Sequence, residues 1–217
     1  MRTQTIPDVR YSAMGERMEP SVITDLMNRA LQNKELLSIA AGFTDNVTLP
    51  LDMVGKAVAA LTAEGANPEI LQYGLNQGRA GFREEIASWL GAYPGERADV
   101  YSADRVMVTN GSQQCLYLAM QMLCDPGDIV LVERPSYFVF LEMLKGLGIE
   151  AVGMPANADG TIDLEGTAEL IDDLRYANRI GRVKAAYLVG YYGNPSARCI
   201  PEEEKTELAR ILEEKDL

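Results

Sequence analysis

Four short segments of this 217-residue chain carry residue types suited to planar or anionic ligands. In Asn110-Gly111-Ser112-Gln113-Gln114, a glycine and then a hydroxyl stand where an apolar run gives way to a helical pattern. The first N–H groups of a helix have no intrahelical acceptor, and the dipole there favours negative charge, so the segment is a candidate phosphate cradle. Serine is also a preferred helix cap, and the segment taken alone reads equally well as one. In Glu133-Arg134-Pro135-Ser136-Tyr137, the tyrosine could stack on a planar ligand or be a core residue. In Tyr191-Tyr192-Gly193-Asn194-Pro195, the Asn194 amide can donate to a phenolate-like oxygen, although Asn-Pro is also a plain turn signal. Met154-Pro155 is the fourth segment. There is no Gly-x-x-x-x-Gly-Lys and no Gly-x-Gly-x-x-Gly, so neither a Walker loop nor a dinucleotide fingerprint is present. With no histidine, Ser-His-Asp and Cys-His systems and histidine-dependent zinc sites are excluded.

These segments need a scaffold, and the hydrophobic pattern supplies one. The first twenty residues read as an irregular arm. A helix is expected from Val22, capped by Ser21, and another over Leu51–Glu64 with Met53, Ala57, Ala60 and Leu61 on one side. Gly65-Ala66-Asn67-Pro68 breaks it, Gly74–Gly81 is a glycine-rich loop, and Phe82–Leu90 is helical. From Arg105 the rhythm alternates. Strands are expected at Arg105–Thr109, Ile129–Val132, Ile149–Met154 and Val183–Val189. Helices are expected at Ser112–Leu123, Tyr137–Leu147, Asp163–Tyr176 and Pro201–Glu214. The last has Leu208, Ile211 and Leu212 as its buried stripe. This alternation implies an α/β fold with three α/β/α layers and a mostly parallel sheet, in which ligands bind at the carboxyl ends of the strands. The four segments all fall there. A domain boundary is placed near Leu61–Leu71, dividing the chain into 1–65 and 66–217.

A net charge of −12 argues against nucleic-acid or anionic-membrane partners, which need a basic footprint. The amino terminus lacks an apolar signal core, and no apolar run reaches the roughly 18 residues of a membrane helix. Cys115 and Cys124 stand nine apart on one expected helix, on opposite faces, and Cys199 is left over. They read as core-filling thiols in a reducing, cytoplasmic compartment.

Taken together, the segments resemble one family, the class I/II aminotransferases, fold-type-I enzymes that use pyridoxal 5′-phosphate. The resemblance runs in order along nearly the whole chain. It passes through Ala41-Gly42-Phe43 to Leu49-Pro50, Leu71-Gln72-Tyr73-Gly74 and Gly78-Arg79-Ala80-Gly81-Phe82-Arg83-Glu84-Glu85-Ile86-Ala87. It continues through Val108–Gln114, Pro126-Gly127-Asp128, Glu133–Tyr137 and Gly193-Asn194-Pro195. It implies that Gly111, Ser112 and Gln113 hold the cofactor phosphate, that Tyr137 stacks on the pyridine ring, and that Asn194 bonds the ring's 3-oxygen. Tyr73 would reach the phosphate in the neighbouring subunit of a homodimer, and Gly42 would lie near the substrate carboxylate. Arg79 reads as a solvated arginine. Residues 1–65 would be the arm and part of the small domain, and 66–217 an incomplete large domain. The substrates would be an amino acid and a 2-oxo acid.

The family's chemistry also needs an aspartate in Asp-x-x-Tyr and a Schiff-base lysine in Ser-x-x-Lys, both after the Asn-Pro motif. None of Lys34, Lys56, Lys145, Lys184, Lys205 and Lys215 has a serine three residues before it. Asp8-x-x-Tyr11 and Asp173-x-x-Tyr176 precede Asn194 and are chance matches. The chain therefore resembles the N-terminal part of such an enzyme, with no catalytic residue of its own. It is expected to be inactive alone, and poorly stable or aggregating where sheet edges and apolar faces lack neighbours. The alternatives are a non-catalytic aminotransferase-like binding module and one half of a split enzyme. Regulators with such a domain add a DNA-binding module, and the arm here offers no basic recognition helix.

Overall fold

The computed structural model describes residues 10–18, 20, 22–33, 35–37, 44–93 and 98–217. Its helices are α1 (Ala13–Arg17), α2 (Val22–Gln32), α3 (Leu51–Leu61), α4 (Ala80–Gly91), α5 (Gly111–Leu123), α6 (Phe138–Leu147), α7 (Leu164–Tyr176) and α8 (Glu202–Glu214). Its strands are β1 (Ile129–Val132), β2 (Glu150–Gly153) and β3 (Val183–Tyr187). The chain forms two compact units, 1–42 with 116–217, and 43–115. The boundary read from sequence at 65/66 falls inside the second unit.

In the first unit the strands form one parallel sheet in the order β2-β1-β3. β1 lies in the middle, and all four of its residues are at most 4% exposed. Alternate side chains of a strand point to opposite faces. Ile129 and Leu131 accordingly join Met154, Ile171, Leu174, Leu208 and Ile211 beneath α7 and α8. Val130 and Val132 join Met120, Phe140 and Leu144 beneath α5 and α6. These are the three expected layers, and the near-continuous apolar composition of β1 follows from burial on both faces. Local signals set the helix ends. Gly148 adopts φ +77° and stops α6, as left-handed caps do. Asp163 accepts from the Gly166 N–H at 2.9 Å and starts α7. Glu202, Glu203 and Glu204 complement the α8 dipole.

Several expectations need correction. Part of the irregular arm is the short helix α1, capped by Ser12, and Arg17 Nε donates to the Gly146 carbonyl at 3.1 Å. The helix expected over Leu51–Glu64 stops at Leu61, and none of its residues is buried. Gly81 lies inside α4 rather than in the loop before it. Arg105–Thr109 is not a strand. Arg105 closes a 3-10 turn, and Val108 N–H donates to Gln77 O at 2.9 Å. No strand among the described residues pairs with this run, and β-prone residues without a ladder remain extended chain. Cys115 and Cys199 are exposed and do not fill the core, while Cys124 is half-buried and packs against it. Arg79 is more than a solvated charge, because its guanidinium donates to the carbonyls of Glu69 and Gln72.

The second unit is organised around α4. Arg83 is only 7% exposed, and donates from Nε to Gly78 O at 3.3 Å and from Nη1 to Ala103 O at 2.6 Å. Gly78 (φ +96°) sits so close to Val108 that an added Cβ would meet its Cγ2 at 2.6 Å.

Candidate functional site

The first unit brings Tyr137 and Asn194 to one end of its sheet. Tyr137 is the residue before α6, five past the end of β1, and is half-buried beside Phe138 with ring centroids 5.2 Å apart. Asn194 is seven past the end of β3, the strand hydrogen-bonded to β1. Both therefore stand at carboxyl ends of neighbouring parallel strands, where this architecture binds ligands. Asn194-Pro195 is cis, within a turn closed by Gly193 N–H to Arg198 O at 2.8 Å.

Three further residues shape this end of the sheet. Glu133 N–H donates to Tyr187 O at 3.3 Å, and the Glu133 carboxylate accepts the Val189 N–H at 2.8 Å. Burial pushes the Glu133 carboxyl above its ordinary range, partly opposed by that N–H and by the charge of Arg198. Burial also raises the Tyr187 phenol, helped by nearby Glu133 and Tyr137. Arg198 pairs with Glu204 and donates to Gly160 O at 3.1 Å, which ties the Asn194 turn to the start of α8. A groove of about 850 Å³ opens here, lined in part by Glu133, Arg134, Ser136 and Asn157. Within it the Ser136 hydroxyl oxygen is buried without a hydrogen-bond partner.

In the second unit, Gly111, Ser112 and Gln113 form the first turn of α5. Gly111 has φ +76°, a left-handed conformation that favours glycine, and nothing lies within 4 Å of where its Cβ would stand. Ser112 is exposed, and Gln113 Oε1 is buried without a partner. Gln114 Oε1 folds back to accept the Asn110 N–H at 2.6 Å and holds the turn. The open glycine and the first-turn N–H groups fit a bound phosphate group. Tyr73 is 100% exposed. Gly42 lies outside the described residues.

Among the described residues there is no cluster of three metal-ligating side chains, and no helix is long and apolar enough to cross a membrane.

A three-layer α/β/α unit with an aromatic and an amide after its parallel strands has the layout of a fold-type-I pyridoxal-phosphate protein. The chain belongs to the class I and II aminotransferases, whose family pattern matches residues 38–217. It is 28% identical to an aromatic-amino-acid aminotransferase of Thermococcus litoralis over 95% of its own length and 48% of that protein. It superposes with a TM-score of 0.81 on the kynurenine aminotransferase of Pyrococcus horikoshii, solved with PMP, at 27% identity over 95% of this chain and 49% of that one. An Escherichia coli protein described as an uncharacterized HTH-type transcriptional regulator is 28% identical over 68% of this chain and 29% of its own length. The chain thus spans about half the length of the two aminotransferases and less of the regulator. The cofactor of the family is pyridoxal 5′-phosphate.

Sequence reasoning missed Glu133, Tyr187 and Arg198. The one available signal was position, since Glu133 directly follows an expected strand, Tyr187 lies near the end of one, and Arg198 stands beside the Asn-Pro turn. A carboxylate next to Arg-Pro otherwise looks like an ordinary solvated residue.

Proposed function

We propose that the chain is the cofactor-cradling N-terminal part of an aminotransferase that moves an amino group from an amino acid to a 2-oxo acid. The observation that carries the reading is the arrival of Tyr137 and Asn194 at the carboxyl ends of the adjacent strands β1 and β3. Bound pyridoxal 5′-phosphate supplies the electron sink on which amino-group transfer depends. This chain's residues do the holding. The first turn of α5, with Gly111, Ser112 and Gln113, takes the phosphate, Tyr137 covers one face of the ring, and the Asn194 amide donates to the ring's 3-oxygen. Tyr73, fully exposed, is free to complete the site of a second subunit, and Gly42 is assigned to the substrate carboxylate. The assignment of 1–65 to the arm and small domain and of 66–217 to the large domain, the homodimer and the cytoplasmic location belong to the same reading.

The reactive lysine is not in a matching position of this chain, so binding is expected without turnover. Titration of the 217-residue chain with pyridoxal 5′-phosphate, followed by absorbance and fluorescence, is expected to show saturable binding. Tyr137→Ala and Asn194→Ala are each expected to weaken it about tenfold, the order of one lost stacking or hydrogen-bonding contact. Borohydride is expected to trap no stoichiometric adduct on any of the six lysines. Wild-type affinity in both variants would overturn the site, and a stoichiometric adduct would overturn the division of labour.

The likeness to an HTH-type regulator favours a second reading, a non-catalytic binding module. The reading frame after codon 217 separates the two, because Asp-x-x-Tyr followed by Ser-x-x-Lys there belongs to the enzyme.

A further inference from the structure

Glu133 is a half-buried carboxylate to which the cofactor contacts above assign no role. Its position is unusual in one respect: it touches both segments that carry the ring-binding residues. Through the backbone it is the first residue past β1, four before Tyr137, and its own N–H donates to Tyr187 O at 3.3 Å. Through the side chain it accepts the Val189 N–H at 2.8 Å, five residues before Asn194. β3 ends at Tyr187. The Val189 N–H therefore lies beyond the regular ladder and takes its acceptor from a side chain. Close by, Gly193 N–H to Arg198 O at 2.8 Å and Ile200 N–H to Gly190 O at 2.9 Å close the Asn194 loop upon itself. Those bonds shape the loop, while the Glu133 bond ties its stem to β1.

We propose that Glu133 is a positioning residue, whose carboxylate fixes the stem of the Asn194 loop against the end of β1 and so sets the spacing between the Asn194 amide and the Tyr137 ring. It acts through its neighbours and has no contact of its own with the cofactor in this scheme. A carboxylate suits the task because it accepts a strong hydrogen bond from a backbone N–H, and because a buried N–H left without an acceptor is costly. A side chain in this role also sees Arg198 across the loop, the cation that opposes the burial of its charge. The assignment rests on the cofactor reading above for its purpose, but not for its geometry.

The test therefore has two arms on the full chain. Hydrogen exchange of the Val189 amide, read without any ligand, reports the brace. Glu133→Ala and Glu133→Met, the latter filling the volume without an acceptor, are expected to lower protection at Val189 by about tenfold or more relative to the β1 amides. Glu133→Gln retains an acceptor oxygen and is expected to keep protection within about threefold. The second arm is the affinity for pyridoxal 5′-phosphate, expected to fall about tenfold in Glu133→Met and to recover in Glu133→Gln. Unchanged Val189 protection in Glu133→Met overturns the brace. A Glu133→Gln chain that keeps protection yet binds as poorly as Glu133→Met overturns positioning as the role. If the wild-type chain binds no cofactor, the cofactor reading fails, and the exchange arm still decides whether Glu133 holds the loop.

Discussion

Helices α3 and α6 are both rich in apolar residues, yet their fates differ. α6, Phe-Val-Phe-Leu-Glu-Met-Leu-Lys-Gly-Leu, buries Phe140 and Leu144 completely against the sheet. α3, Leu-Asp-Met-Val-Gly-Lys-Ala-Val-Ala-Ala-Leu, buries nothing, and Leu51, Met53, Val54, Val58 and Leu61 are all more than half exposed. A helical stripe states which face prefers to leave water, and only a facing surface of the right shape turns the preference into a core. Val130 and Val132 give α6 that surface. Among the described residues, α3 has none.

The comparison sharpens most at Phe140, whose ring stacks on Tyr187 with centroids 3.8 Å apart. Phe140→Ala is expected to cost about 3–5 kcal/mol, the transfer loss plus the cavity. Urea denaturation reads it, and a loss below about 1 kcal/mol would show that α6 is no better packed than α3.

The second unit is not loose throughout, and Gly78 is where it breaks the contrast. Ala at position 78 must adopt φ near +96° and press a Cβ into Val108. The expected cost is about 1–3 kcal/mol, from strain and overpacking together. Local exchange at the Val108 amide, which donates to Gln77 O, is the most direct readout. A neutral Gly78→Ala would place the second unit wholly on the α3 side of the comparison.

On α3 itself, Val58→Gln and Leu61→Gln are expected to change stability by no more than about 0.5 kcal/mol while reducing self-association, as for apolar side chains that stand in water. Light scattering and denaturation together check both halves of that statement.

The same contrast explains what could be read in advance. β1, β2, β3 and α5 to α8 were legible because each carries its own period and its own punctuation: Asp-Pro-Gly before β1, Gly148 after α6, Asp163 before α7. The places of Tyr137 and Asn194 after β1 and β3 were legible because the order of strands and the turns that follow them does not depend on fine packing. Arg105–Thr109 misled because a strand is defined by its neighbour, and composition carries no record of one. Arg83 was hidden for a related reason. It is buried through the carbonyl acceptors of Gly78 and Ala103, and which carbonyls converge on a guanidinium is a property of the folded backbone.

The smallest expected effect is one of sign, and it sets two carboxylates of the first unit against each other. Asp159 is lowered chiefly by the Thr161 hydroxyl, which donates at 2.7 Å, and by the Thr161 N–H at 2.9 Å. Glu133 is raised chiefly by burial. A lowered carboxyl adds stability above its unfolded pKa of about 3.9 and loses it as pH falls through the folded value. A raised one gives its contribution fully below its unfolded pKa of about 4.3 and loses it as pH rises through the folded value, where the charge must be buried. Glu133→Gln removes that loss, so its Tm relative to wild type is expected to climb from near zero in acid to positive at neutral pH. Asp159→Asn is expected to run the other way, from near zero in acid to negative at neutral pH. Thermal melts of the two variants across pH 3 to 8 read the slopes directly, and parallel slopes would mean that burial is not what separates these two groups.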